Sequence, residues 1–121
     1  METKSKLLVA AIALKKISAK ILKKSDRVDF EASLDVLDDA LSVLDEASAL
    51  MDGVEEAKVA SEQVDVAWVK VRDLCRNITN FALGFIRRDM IEVTDLIDQA
   101  LEYLEYEAGI QIPSGKKGEM K

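Results

Sequence analysis

The side chains in this chain with chemical potential are carboxylates, a single thiol and a run of lysines, and there is no histidine among the 121 residues. Without imidazole the chain lacks the commonest general base, the commonest transition-metal ligand and the phospho-acceptor of histidine phosphotransfer bundles. The Glu-x-x-His pairs that hold two irons in ferritin-like bundles are missing for the same reason. Asp35, Asp38, Asp39, Asp45, Asp95, Asp98, Glu102 and Glu105 offer the oxygen ligands that Mg²⁺ or Ca²⁺ prefers. Most of them, however, fall off the apolar stripes of their segments, and no loop has EF-hand spacing, so they read as a solvated acidic face. No glycine-rich phosphate cradle is present, nor a serine paired with a base. Cys75 follows Leu74 on the edge of an apolar stripe, with Arg72 and Arg76 close in sequence. Arginines favour a thiolate, but a small, partly buried apolar cysteine is the simpler reading. Together these residues predict a protein that is not an enzyme and that uses no cofactor, no metal and no small-molecule substrate.

The lysines raise a different chemistry. Lys15, Lys16, Lys20, Lys23 and Lys24 lie beside leucines and isoleucines in the first segment, the pattern of a basic helix that rests on a membrane surface or meets phosphates. Against this, the whole chain carries a net charge of −6 and would be repelled by anionic lipid or nucleic acid unless that segment were released. Compensation within the fold is the preferred reading; the alternative is a membrane-surface or nucleic-acid-associated protein that uses basic helix 1, with nucleic acid the less favoured of the two. The longest apolar run, Leu7 to Leu14, is far shorter than the roughly 20 residues a bilayer span requires. Lys4 and Lys6 before it resemble the start of a secretory signal, but Lys15 and Lys16 close the run and no small-residue cleavage site comes after them. With one cysteine there is no intramolecular disulfide, which points to a reducing cytoplasm.

The elements that must position these residues are helices. Apolar residues recur at 3.5 to 3.6 spacing almost throughout, with one proline and five glycines to interrupt them. The stripes are Leu7, Ala11, Leu14, Ile17 and Ile21; then Phe30, Leu34, Leu37, Leu41, Leu44 and Met51; then Val64, Ala67, Val71, Leu74, Ile78, Phe81 and Phe85; then Met90, Ile97, Leu101, Leu104 and Ala108. This predicts helices over 4–24, 27–51, 54–87 and 89–108 within one domain, 1–109, followed by a flexible tail, 110–121. Asp52-Gly53 breaks the second segment, and Asp52 with Glu55, like Asp89 with Glu92, has capping-box spacing. Gly109 and then Pro113 stop the last helix. Between the third and fourth segments there is no glycine or proline, so one continuous helix through Arg87-Arg88, exchanging hairpins between two chains, is a competing arrangement.

Laying residues 29–47 over 89–107 aligns Asp29 with Asp89, Asp35 with Asp95, Leu41 with Leu101 and Leu44 with Leu104, which suggests a duplicated helical hairpin at an offset of 60. Short turns then imply an all-α, antiparallel up-down-up-down four-helix bundle. Net charge by segment runs +6 over 1–24, −8 over 25–52, +1 over 53–88 and −5 over 89–121. Sequential winding would place the one basic helix between the two acidic ones.

One feature is left over by a lone bundle. Val9 and Ile12 in the first helix, and Val59, Val66 and Val69 in the third, point away from the stripes of their own helices. With Tyr106 these residues are expected at one end of the bundle, with Trp68 as an anchor at the margin. The sequence therefore predicts an interaction protein (adaptor, regulator or assembly subunit) that binds a protein partner or forms a homo-oligomer, a dimer being favoured.

Overall fold

The computed structural model describes residues 2–112 and holds four helices: α1 (Thr3–Ser25), α2 (Phe30–Met51), α3 (Lys58–Asn77) and α4 (Leu83–Ala108). Short 3₁₀ turns, Glu55–Ala57 and Ile78–Asn80, lead into α3 and out of it. Each helix packs against the next, and α4 closes back on α1, so α1 and α3 face each other across the diagonal. The chain is the antiparallel four-helix bundle that its stripes require, with α1 between α2 and α4.

The core is one layer of leucine and isoleucine interleaved with alanine. Leu7, Leu14, Ile21, Leu37, Leu44, Ile97 and Leu104 are fully buried, and so are Ala11, Ala40, Ala47, Ala60, Ala67 and Ala100 between them. Alanine at these positions lets neighbouring helices approach closely, because interaxial distance depends on the side chains at the contact. All five residues of the first stripe are buried as expected. At the start of the second, Phe30 is exposed instead, because it is the first helical residue and projects past the end of the core.

The helix ends have local causes. Asp29 has an extended backbone and its carboxylate accepts a 2.7 Å bond from the Ala32 N–H, while its own N–H donates to Ser33 Oγ at 3.3 Å. This reciprocal cap starts α2 at Phe30, three residues later than residue 27. Gly53, at φ 76°, turns the chain out of α2. The capping box expected at Asp52 and Glu55 does not form: Val54, not Asp52, occupies the position directly before the 3₁₀ turn, and no side chain caps that turn. At the far end Gly109 is left-handed at φ 66°, and the Gly109 and Ile110 N–H groups both return to the Leu104 carbonyl, the latter at 3.2 Å. Ile110 is buried by that closure, so the ordered bundle runs past residue 109; of the expected tail, 113–121 lie outside the described residues.

The boundary between α3 and α4 departs most from expectation. The chain breaks at 78–82 rather than at Arg88, and Asp89 and Glu92 lie inside α4, so they cap nothing. The sequence Asn77-Ile78-Thr79-Asn80 carries the break without glycine or proline, since Asn and Thr compete for backbone hydrogen bonds and favour helix ends; the Asn77 amide donates to the Asp73 carbonyl at 3.0 Å. The break also lets the apolar stripe change phase. Ile78 ends one stripe, and Ile86, Met90, Val93 and Ile97 begin another that a continuous helix would have turned away from the core. Because α3 and α4 pack against each other within one chain, the continuous, exchanged helix through Arg87-Arg88 is not formed.

The two hairpins repeat, but one heptad away from the displacement of 60. From Phe30 to Leu83 the helix starts are 53 apart, and at 53 Leu37, Ala40, Leu44, Ala47 and Met51 fall on the buried Met90, Val93, Ile97, Ala100 and Leu104. In the other pair of helices Leu7, Ala11, Leu14, Ser18 and Ile21 fall on the buried Ala60, Val64, Ala67, Val71 and Leu74. A seven-residue slip preserves the buried face, which is why the offset of 60 aligned the stripes while misplacing the helix ends.

Leu44→Ala should cost about 2–5 kcal/mol in chemical denaturation, the usual range for a fully buried leucine. Asp29→Ala should lower the midpoint by less and speed hydrogen exchange at Ala32.

Candidate functional site

Three clusters of polar or apolar groups stand outside the core packing. The first is the thiol. Cys75 is half-buried, its Sγ 3.8 Å from an Asp38 carboxylate oxygen on α2. Burial, and then the neighbouring negative charge of Asp38, push the thiol up to about 11. Arg72, three residues before the thiol, turns instead onto Trp68, its guanidinium carbon 5.2 Å from the ring centroid, and pairs with Asp73 at 3.5 Å. The fold therefore holds Cys75 as a neutral thiol.

The second cluster lies on the α1/α4 seam. Ser18 Oγ donates to Asp98 at 3.2 Å. Partial burial raises the Asp98 carboxyl; the Ser18 bond opposes the rise, Asp95 and Glu102 add to it, and Lys15 pulls it down. On the other flank of α1, Lys20 pairs with Asp39 at 3.4 Å and Lys24 with Asp29 at 3.5 Å, both on α2 or at its cap. Part of the lysine run is thus answered by the acidic neighbours. Among the described residues, no three His, Cys, Asp or Glu side chains converge as a metal site, and no helix is long and apolar enough to cross a membrane.

The third cluster is apolar and lies at the α3/α4 seam. Val66 is 52% exposed and Val69 42% exposed on the outer side of α3. They open into a groove of about 510 Å³ whose floor is completed by Leu74, Phe81 and Phe85. The Phe81 and Phe85 rings meet at a centroid distance of 4.7 Å, inclined by 52°, and the Arg88 guanidinium carbon lies 4.8 Å from the Phe85 centroid at the groove's end. Carboxylates line the rim: Asp65 and Asp73 from α3, Asp89 from α4. The rim lysine, Lys70, is engaged with Glu92 of α4 at 3.0 Å.

The expected interface residues are thereby sorted. Val66 and Val69 come together, and Val59 lies one heptad earlier on the Val66 side of α3, half-buried. Trp68 lies on another side of α3: it sits seven residues before Cys75, on the flank that meets α2, half-buried against the core and covered by Arg72. Val9 and Ile12 lie on α1, across the diagonal, and form no common surface with the α3 valines. Tyr106, 86% exposed, belongs to the opposite end of α4 from Phe85. Spacing alone puts Phe81 and Phe85 on the core stripe of helix 3. The turn at 78–82 moves them to the groove, and the change of stripe phase between Ile78 and Ile86 is the signal in the sequence that marks it.

Two measurements test this electrostatic picture. Cys75 should react with a thiol reagent at pH 8 more than about tenfold more slowly than free cysteine in the folded protein, and at the ordinary rate in denaturant. For Asp98 the shift is upward, so the folded state holds the proton more tightly than the unfolded chain. Its ionisation costs stability as pH rises from the unfolded value through the folded one, and the cost vanishes at lower pH. Asp98→Asn, which keeps an acceptor for Ser18, should raise Tm at pH 7 and leave it unchanged at pH 3.

No protein-family model matches the chain, and no curated protein or solved structure matches it, so the functional reading rests on the chain's own geometry.

Proposed function

We propose that the chain is a non-enzymatic interaction protein, a small cytoplasmic bundle acting as an adaptor, regulator or assembly subunit, which binds an amphipathic helix of a protein partner in the α3/α4 groove. The observation that carries this reading is the groove itself: exposed Val66 and Val69 joined to the Phe81 and Phe85 rings in one concave apolar surface. Contiguous exposed apolar area with a polar rim is the mark of an interaction site, whereas isolated surface valines would need no account. A helix laid along such a groove buries its apolar stripe, and the rim carboxylates Asp65 and Asp89, beside Asp73 in its pair with Arg72, favour one whose flanks are basic. The lone thiol supports a reducing compartment.

A membrane-surface role for α1 has its own support in exposed Val9 and Leu22 beside Lys16 and Lys23. Lys20 and Lys24 are held by α2 acids, and the net charge of −6 works against anionic lipid, so this is the second reading.

The test uses a fluorescent synthetic helix of leucine and lysine and phosphatidylserine vesicles. The peptide should bind saturably, more weakly as salt rises, and at least about tenfold more weakly to the Val66→Lys, Val69→Lys double variant; the intact protein should not sediment with the vesicles at low salt. Equal peptide binding by wild type and variant would sink the groove reading, and salt-sensitive sedimentation with vesicles would favour α1.

A further inference from the structure

We infer that the chain assembles head to tail, the outer face of α1 on one molecule docking into the α3/α4 groove of a second copy. This rests on the reading of that groove as a binding surface and names its occupant.

Charge first decides the mode. Asp73 is paired with Arg72 at 3.5 Å, and apposing two α3/α4 grooves about a two-fold axis would set Asp65 and Asp89 of one molecule against the same residues of the other. The lysine on that rim is already held by Glu92, and the Arg88 guanidinium stacks on the Phe85 ring at the groove's end, beyond the lining residues. Like charges brought together at an interface penalise that arrangement. The groove therefore selects an apolar ridge flanked by cations.

The chain carries such a ridge. On α1, Val9 is 47% exposed and Ile12 half-buried, three residues apart as Val66 and Val69 are, so each pair forms a short ridge along its helix. Lys16 and Lys23, seven and fourteen residues beyond Val9, share its face and are exposed, Lys16 at the edge that borders Asp39 and Glu46 of α2. α1 is the one strongly basic segment of an acidic chain.

Topology sets the form of the assembly. Because α1 and α3 lie across the diagonal, the ridge and the groove look away from each other. A docked copy leaves the groove of one molecule and the ridge of the other open, so the contact is heterologous and propagates into a ring or an open string rather than stopping at a two-fold dimer.

The experiment is light scattering behind a sizing column on the full chain, over a wide concentration range and at two salt concentrations. The wild-type mass should rise with concentration beyond twice the 13.4 kDa of one chain and fall as salt is raised. Two surface variants, each checked for helicity and melting, then dissect the contact: a ridge variant, Val9→Glu with Lys16→Glu, and a groove variant, Val66→Lys with Val69→Lys. Each alone should be monomeric, while their mixture should give a one-to-one heterodimer of twice the monomer mass, since it contains one intact ridge and one intact groove. A ridge variant that still assembles, a mixture that stays monomeric, or a wild type that is monomeric at every concentration would each overturn the inference. In the last case the groove's binding of the leucine-lysine helix is still read separately, so failure of self-assembly is distinguishable from failure of the groove.

Discussion

Everything in this structure depends on one constraint: each helix carries a single narrow stripe of large aliphatic residues spaced by alanine, and that stripe must be covered by both neighbours at once. Leu14 and Ile21, or Leu37 and Leu44, have no exposed surface, and Ala11 and Ala40 on the same stripes are equally closed. A four-membered ring of antiparallel helices satisfies four such stripes with turns of only a few residues. Packing of this density tolerates little change in volume, which is why the capping and turn residues need only register the helices rather than hold them together. The ion pairs around α1 then act on top of a fold already specified by burial, each exposed pair contributing no more than about 1 kcal/mol.

The same constraint explains the break between α3 and α4. A helix continuing past Ile78 would bring Phe81 and Phe85 onto the old stripe and rotate Ile86, Met90 and Val93 off it. The chain can bury one set or the other, and it buries the second, which runs on through Ile97 and Leu104 to Ala108. The two phenylalanines are the residue of that choice. They are left half-buried and exposed beside Val66 and Val69, so the apolar groove is a direct consequence of how the fourth helix found its register.

Much of this was legible in the sequence, because burial periodicity is a local property. The five-residue stripe of α1, the glycines at both left-handed positions and the antiparallel winding are consequences of spacing alone. What could not be read was any relation set by tertiary neighbours. The outward direction of Val66 and Val69 is visible on a helical wheel, but their companions Phe81 and Phe85 come from beyond a turn that no glycine or proline announces. Trp68 reads as an exposed anchor until its flank of α3 meets α2 and Arg72 lies over it. The partial burial of Cys75 is legible from its place at the edge of a stripe, but the neighbour that keeps the thiol neutral, Asp38, is distant in sequence. Heptad repetition itself hides information, since a slip of seven residues between the hairpins leaves every stripe aligned.

Charge carries what burial leaves undecided. A bundle of four similar stripes can pair its helices in different orders, and hydrophobic contact discriminates poorly among such arrangements. Setting the basic α1 between the acidic α2 and α4 penalises orders that bring α2 beside α4, and the Lys20 to Asp39 and Lys24 to Asp29 pairs lie on the seam where that choice is made. The outer surface inherits the same asymmetry. Lys16, at the edge of the α2 seam, and Lys23 are exposed on the Val9 side of α1, while carboxylates of α3 and α4 line the groove on the other side of the molecule. The segregation of charge that orders the helices inside one chain thus leaves its exterior with a basic apolar ridge and an acidic apolar groove, two surfaces of opposite sign that a single molecule cannot bring together and a second molecule can.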